Sequence, residues 1–130
     1  MIEGLGLDLV EVARIQRSVE RWGRRFLSRV FTQREIEYCF QQGEGYRSLA
    51  ARFAAKEAVF KALGKGWPQG GDWKDVEVLG QRGSRPEVML HGRTKQIVDK
   101  GRVLVCLSHT SEYAAAVAAF QDGLVLGPSG

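Results

Sequence analysis

The sequence predicts a single-domain α+β fold, mainly antiparallel sheet packed against a long central helix and shorter helices. Three observations lead there. Helical signals concentrate before Gly64, whereas strand signals, apart from one at the very start, follow Val76. No repeat or linker interrupts the 130 residues, which is the length of one domain. Hydrophobic residues make up 44% and charged residues 26%, enough apolar side chain for one core. That composition excludes a disordered, collagen-like or coiled-coil chain. We expect the domain to occupy residues 1–122, with a frayed Gly-, Pro- and Ser-containing tail over 123–130.

Each element has its own signal. Ile2–Val10 alternates loosely and reads as a strand ending near Asp8–Val10. Residues 12–26 read as one amphipathic helix with an apolar seam of Val12, Ile15, Val19, Trp22 and Phe26. Thr32-Gln33-Arg34-Glu35 fits a capping box, so a short helix should run from about 33 to 41. Leu49–Leu63 is the strongest helical segment, Ala-rich and closed by Gly64 as a C-cap. Residues 64–71 form a loop rich in glycine. Val76–Leu79 and Glu87–Leu90 read as strands, residues 92–99 as a helix, and Arg102–Ser108 as a strand. Tyr113–Phe120 pairs with that strand across the turn at His109–Glu112, and its five alanines in eight positions imply close packing on both faces.

Location and partners are bounded next. The longest apolar run, Tyr113–Phe120, falls far short of the roughly 18 residues that span a bilayer, so no membrane association is expected. Glu3 and Asp8 stand where a signal peptide carries basic residues. Cys39 and Cys106 lack metal-ligand spacing, which points to a reduced, cytoplasmic protein without a disulfide framework. The net charge of +4 is modest, but its placement is not: seven arginines lie between positions 14 and 34, opposed up to Arg34 only by Glu20. On a helix Arg14, Arg17, Arg21, Arg24 and Arg25 form a stripe. It suits a solvated face, an acidic protein partner or a nucleic-acid backbone, and charge alone does not choose. No aromatic stacking platform or nucleic-acid fingerprint accompanies it.

Three groups of residues suit chemistry. Phe53, Glu57 and Lys61 fall on one helical stripe, where Glu57 and Lys61 make a surface ion pair at the least. Asp8 lies near the end of an apolar strand, where it caps the arginine helix, pairs with one of its arginines or binds a cation. Two separated carboxylates suit Mg²⁺ completed by water and substrate phosphate, whereas the nitrogen and sulfur spacings of a zinc site are missing. Ser108-His109-Thr110 lies in a turn, either solvated or placed to bond phosphate or move a proton. Lys65 between two glycines suits phosphate, although the surrounding loop is not of the Walker type.

Joined, these segments carry a resemblance. Gly4-Leu5-Gly6-Leu7-Asp8-Leu9-Val10, Val30-Phe31-Thr32-Gln33-Arg34-Glu35, Arg52-Phe53-Ala54-Ala55-Lys56-Glu57-Ala58-Val59-Phe60-Lys61-Ala62 and Ser108-His109-Thr110 resemble the holo-[acyl-carrier-protein] synthases. These are the short, trimeric type of 4′-phosphopantetheinyl transferase. The resemblance implies transfer of the phosphopantetheine arm of coenzyme A to a serine of apo acyl carrier protein, in fatty-acid biosynthesis. It implies Mg²⁺ on Asp8 and Glu57, with Glu57, Lys61 and His109 as the catalytic set. Arg52, Lys61, Lys65, His109 and Thr110 would then face coenzyme A, His109 and Thr110 from a neighbouring subunit of a homotrimer. The acidic carrier helix would dock on Arg14, Arg21 and Arg24, with Phe26 as an apolar anchor, and nucleic acid becomes the rival partner.

Overall fold

Two glycines decide how the chain packs. The computed structural model describes residues 1–41, 43, 45–64, 72–80 and 85–123. Strand β1 spans Ile2–Glu11, with Gly6, Asp8 and Val10 buried and Leu5, Leu7 and Leu9 exposed. The long helix expected from Leu49 begins four residues earlier, so it spans Gly45–Leu63; we call it α4. Thirteen of its nineteen residues are buried, as befits a helix apolar on nearly every side. A Cβ built on Gly4 would lie 1.8 Å from the Ala62 carbonyl oxygen, and one on Gly6 would lie 1.9 Å from that of Ala58. Strand and helix backbones therefore touch directly, and no residue with a side chain fits at either glycine.

The expected arginine helix is two helices. Helix α1 covers Val12–Trp22 and α2 covers Arg24–Val30, separated by Gly23 at φ +54°, a conformation glycine tolerates and other residues resist. The apolar seam concealed this break, because Gly23 falls between Trp22 and Phe26 without disturbing the periodicity. Helix α3, Gln33–Gln41, starts on the expected capping box. The Thr32 N–H donates to Glu35 Oε1 (2.9 Å), and the Glu35 N–H donates to Thr32 Oγ1 (3.2 Å). Gly64, at φ +70°, closes α4 with its N–H donating to the Lys61 carbonyl.

The remaining elements are a 3₁₀ turn at Trp73–Asp75, β2 (Val76–Leu79), β3 (Glu87–Leu90), α5 (Gly92–Val98), β4 (Arg102–His109) and β5 (Tyr113–Gln121). They form two antiparallel sheets: β1-β5-β4, and the pair β2-β3. Register places Ala116 between Asp8 on β1 and Leu107 on β4, and Ala114 between Val10 and His109. The inner face of the larger sheet packs on α4 through buried Ala114, Ala116 and Ala118. On its outer face Ala115 and Ala119 remain only half-buried within one chain.

On its far side α4 is held by a buried ion pair. The Lys56 ammonium, fully buried, donates to Glu35 Oε1 (2.8 Å), to the Trp73 carbonyl (3.1 Å) and to the Val76 carbonyl. Glu35 Oε2 accepts from the Val78 N–H (2.9 Å), so one carboxylate joins α3, α4 and β2. Burial holds the Lys56 ammonium below its usual range. Beside it, Glu77 is 3% exposed and accepts from the Thr32 hydroxyl, with His91 Nε2 3.1 Å from its other oxygen and Arg34 at 3.7 Å. Burial pushes the Glu77 carboxyl up, but the Thr32 and His91 hydrogen bonds and the Arg34 charge outweigh it and hold the group below the usual carboxylate range.

Two outcomes follow from this packing. Gly6→Ala should lower unfolding free energy in urea by about 3 kcal/mol or more, since rigid backbone blocks the added carbon. A loss below about 0.5 kcal/mol would show that β1 and α4 do not meet as described. Because the folded Glu77 value is depressed, its stabilisation is complete above the unfolded value near 4.5 and disappears as pH falls through the folded value. The stability gap between the parent chain and Glu77→Gln should therefore narrow between about pH 6 and about pH 3. A constant gap would contradict the assignment.

Candidate active site

The contact at Gly4 and Gly6 carries Asp8 against the last turns of α4. There the Lys61 ammonium donates to Asp8 Oδ1 (2.9 Å) and to the Leu7 carbonyl (3.1 Å). Lys61 thus ion-pairs with the strand acid, and not simply with its helical neighbour Glu57. Asp8 is 9% exposed, whereas the Lys61 side chain is 54% exposed, so the cluster opens to solvent on one side. Asp8 Oδ2 is buried and has no hydrogen-bond partner among the described residues. Glu57 is half-buried. Burial first, and the neighbouring Asp8 carboxylate second, push its carboxyl above the usual range, against the opposing charges of Lys61 and Arg14. Donation to Asp8 holds the Lys61 ammonium above its usual range.

Two crowded carboxylates with an unsatisfied buried oxygen form a hard-donor pair that a divalent cation would satisfy. Among the described residues no group of three or more His, Cys, Asp or Glu side chains forms a cage for a metal ion. A cation on Asp8 and Glu57 would therefore keep open positions for water or a bound oxyanion, which suits Mg²⁺. The adjoining ammonium supplies positive charge for such an anion.

The α1 helix borders this cluster. The Arg14 guanidinium lies 5.6 Å from the Phe53 ring centroid, and its charge reaches Glu57. Phe53 in turn stacks on Trp73 at 4.9 Å. Arg17, Arg21, Arg24 and Arg25 are exposed along α1 and the start of α2. Phe26, the expected apolar anchor, is half-buried on α2, meets buried Phe31 edge-on at 6.2 Å and packs against the core.

Arg52 is also turned inward. It is 5% exposed, its Nε donates to the Val78 carbonyl (3.2 Å), and one terminal nitrogen donates to the Ser48 carbonyl (3.3 Å) and hydroxyl (2.9 Å). Its guanidinium lies 4.6 Å from the Tyr38 ring centroid, so within this chain it braces α4 against α3 and β2. His109 and Thr110 end β4, separated from β1 by β5, roughly 10 Å across the sheet. One chain therefore does not bring them to Asp8 and Glu57. Thr110 orders its own turn, accepting from the N–H groups of Glu112 and Tyr113. Lys65 lies outside the described residues.

Sequence reasoning did not find the Lys61–Asp8 pair or the buried role of Lys56. A lysine amid Ala, Phe and Val was the available signal for the second; nothing local signalled the first.

Comparison with known proteins bears on the family and the fold. The 4′-phosphopantetheinyl transferase superfamily matches residues 4–118. Holo-[acyl-carrier-protein] synthase of Koribacter versatilis is 43% identical over 125 residues, covering 94% of this chain and 100% of its own. The crystal structure of the Neisseria meningitidis holo-[acyl-carrier-protein] synthase superposes with a TM-score of 0.85 at 28% identity, over 94% of this chain and 100% of that one. The Helicobacter pylori holo-[acyl-carrier-protein] synthase in complex with coenzyme A gives 0.79 at 28% identity, over 90% and 99%. With motif order, fold and full-length similarity in agreement, the chain belongs to the 4′-phosphopantetheinyl transferase superfamily, among its holo-[acyl-carrier-protein] synthases.

Proposed function

We propose that the chain moves the 4′-phosphopantetheine arm of coenzyme A to a serine hydroxyl of an apo acyl carrier protein. The setting we propose is cytoplasmic fatty-acid biosynthesis. The observation that carries this reading is the Asp8–Glu57–Lys61 cluster, half open to solvent and bordered by an arginine-bearing helix. The similarity to a synthase solved with coenzyme A supports it. In the reaction a bond forms between the serine oxygen and the phosphorus bearing pantetheine. The bond from that phosphorus to the bridging oxygen breaks, adenosine 3′,5′-bisphosphate leaves, and the serine proton passes to a carboxylate or water at the cluster. Such transfer depends on positioning and charge neutralisation.

Asp8 and Glu57 fit a divalent cation through the unsatisfied Asp8 oxygen, and they would hold Mg²⁺. Bound there, the ion would neutralise pyrophosphate charge and stabilise the leaving group. Lys61, on the solvent side, would bind a phosphate oxygen, and Arg14 would draw the acidic carrier towards the site.

We further propose a homotrimer whose active sites lie between subunits. The outer face of the β1-β5-β4 sheet exposes Leu5 at 67%, Leu7 at 64%, Leu9 at 65% and Val117 at 46%. An apolar surface of this kind favours burial against another chain. A neighbouring copy would also supply the His109 and Thr110 that one chain keeps away from its own Asp8.

Incubation with apo acyl carrier protein, coenzyme A and Mg²⁺ should increase the carrier's mass by one phosphopantetheine. No gain with several apo carriers would overturn the proposal. Asp8→Ala and Glu57→Ala should each lower kcat/KM by about 100-fold or more, the scale of losing an electrostatic stabiliser of the transition state. Undiminished rates in folded variants would move the site elsewhere. Leu7→Glu should convert the assembly to monomers in light scattering and abolish transfer; an unchanged mass would remove the sheet face as the interface.

A further inference from the structure

Resting on the carrier-protein reading above, we infer that Trp22 is the apolar anchor of the docking surface and fixes where the carrier's acidic helix seats. Trp22 is 51% exposed, and among the described residues it is the one large apolar side chain exposed on α1 or α2. Phe26, the aromatic that the resemblance points to, is half-buried and spends part of its ring on Phe31 and the core, so it offers less free apolar surface than Trp22. The Arg21 guanidinium lies 5.0 Å from the Trp22 ring centroid, which holds the indole among cations and limits the rotamer freedom lost on binding.

Position along α1 gives the indole its role. Arg14, Ser18 and Trp22 stand at i, i+4 and i+8, one stripe of the helix. Arg14 marks the catalytic end of that stripe, since its charge reaches Glu57. At 1.5 Å per residue Trp22 lies about 12 Å farther along the axis, just over two turns. A partner helix that starts at the site and runs along α1 therefore passes over Trp22.

The surroundings select an acidic helix as the occupant. Arg17, Arg21, Arg24 and Arg25 are exposed around the indole, and Glu20 on the same helix is engaged by the Gln16 amide (3.0 Å). Arginines attract an acidic helix from a distance but tolerate sliding, because exposed charges are screened and bond in many registers. An aromatic ring meeting an apolar side chain in a desolvated contact fixes one register, which is how a few aromatic and arginine residues come to dominate interface energies. Trp22 also lies clear of the outer sheet face, because α1 packs on α4, and α4 covers the inner one.

The test is transfer kinetics in the assembled enzyme, with carrier and coenzyme A varied separately for the parent chain, Trp22→Ala and Trp22→Phe. Trp22→Ala should raise KM for the carrier about tenfold, the scale of a hot-spot truncation, and move KM for coenzyme A less than twofold. Trp22→Phe should recover most of the loss. The defect should persist at about 0.5 M salt, where attraction by the arginines is screened. Apo carrier added without coenzyme A should change the tryptophan emission of the parent chain, and that change should be absent in Trp22→Phe. An unchanged carrier KM in Trp22→Ala, or an equal rise for coenzyme A, would overturn the anchor while leaving the transferase reading intact. Failure of the parent chain to modify any carrier would overturn both.

Discussion

Backbone contact between β1 and α4 is the constraint on which the rest of the molecule depends. Ordinary strand and helix packing keeps the two backbones apart by the thickness of their side chains. Here Gly4 and Gly6 remove that thickness, and their Cα atoms lie against the Ala58 and Ala62 carbonyls. The alanines complete the approach from the helix side. Because strand side chains alternate, the residue two positions after Gly6 must point the same way. That residue is Asp8, and close approach is what brings its short carboxylate within 2.9 Å of Lys61. With the backbones held apart by ordinary side chains, Asp8 would be a buried acid without a cation.

The other side of α4 resists this arrangement being distorted. Successive helical residues point about 100° apart, so Lys56 turns into the protein where Glu57 turns to the site. Lys56 is fixed by Glu35 and two backbone carbonyls. A buried ammonium with complete hydrogen bonding is costly to move, since any displacement strands its charge or that of Glu35. The ion pair thereby sets the rotation of α4 about its own axis, and with it the direction of Glu57. Arg52, one turn earlier, acts in the same sense through Val78 and Ser48.

Legibility in the sequence followed the distance over which each feature is determined. The Thr32–Glu35 capping box and the Gly64 cap were readable because three or four residues decide them. The β2 and β3 strands and the turn before Tyr113 were readable for similar reasons. The break at Gly23 was not, because the hydrophobic period continues across it. Lys61 and Asp8 are 53 positions apart, and the local preference for a Glu57 partner gave way to a tertiary one. Motif resemblance gave Arg52 and Phe26 partners outside the chain, but not the contacts they make within it to Val78, Ser48, Tyr38 and Phe31, which core packing decides. Nor did any local signal show that Trp22, one residue before the helix break, stands half out of the surface.

Strand β1 also joins the site to the surface proposed for assembly. Its even positions place Gly4, Gly6 and Asp8 against α4, while Leu5, Leu7 and Leu9 occupy the opposite face. A slip of one residue would exchange the two sets, burying leucines against the Ala58 and Ala62 carbonyls and turning Asp8 outwards. Glycine therefore fixes the register of the apolar face as well as that of the acid. Pairing with β5 carries the same register to β4, where His109 lies level with Val10. The contact that positions Asp8 thus also sets which residues stand on the opposite face, so a change at Gly4 or Gly6 would disturb the acid and the exposed leucines together.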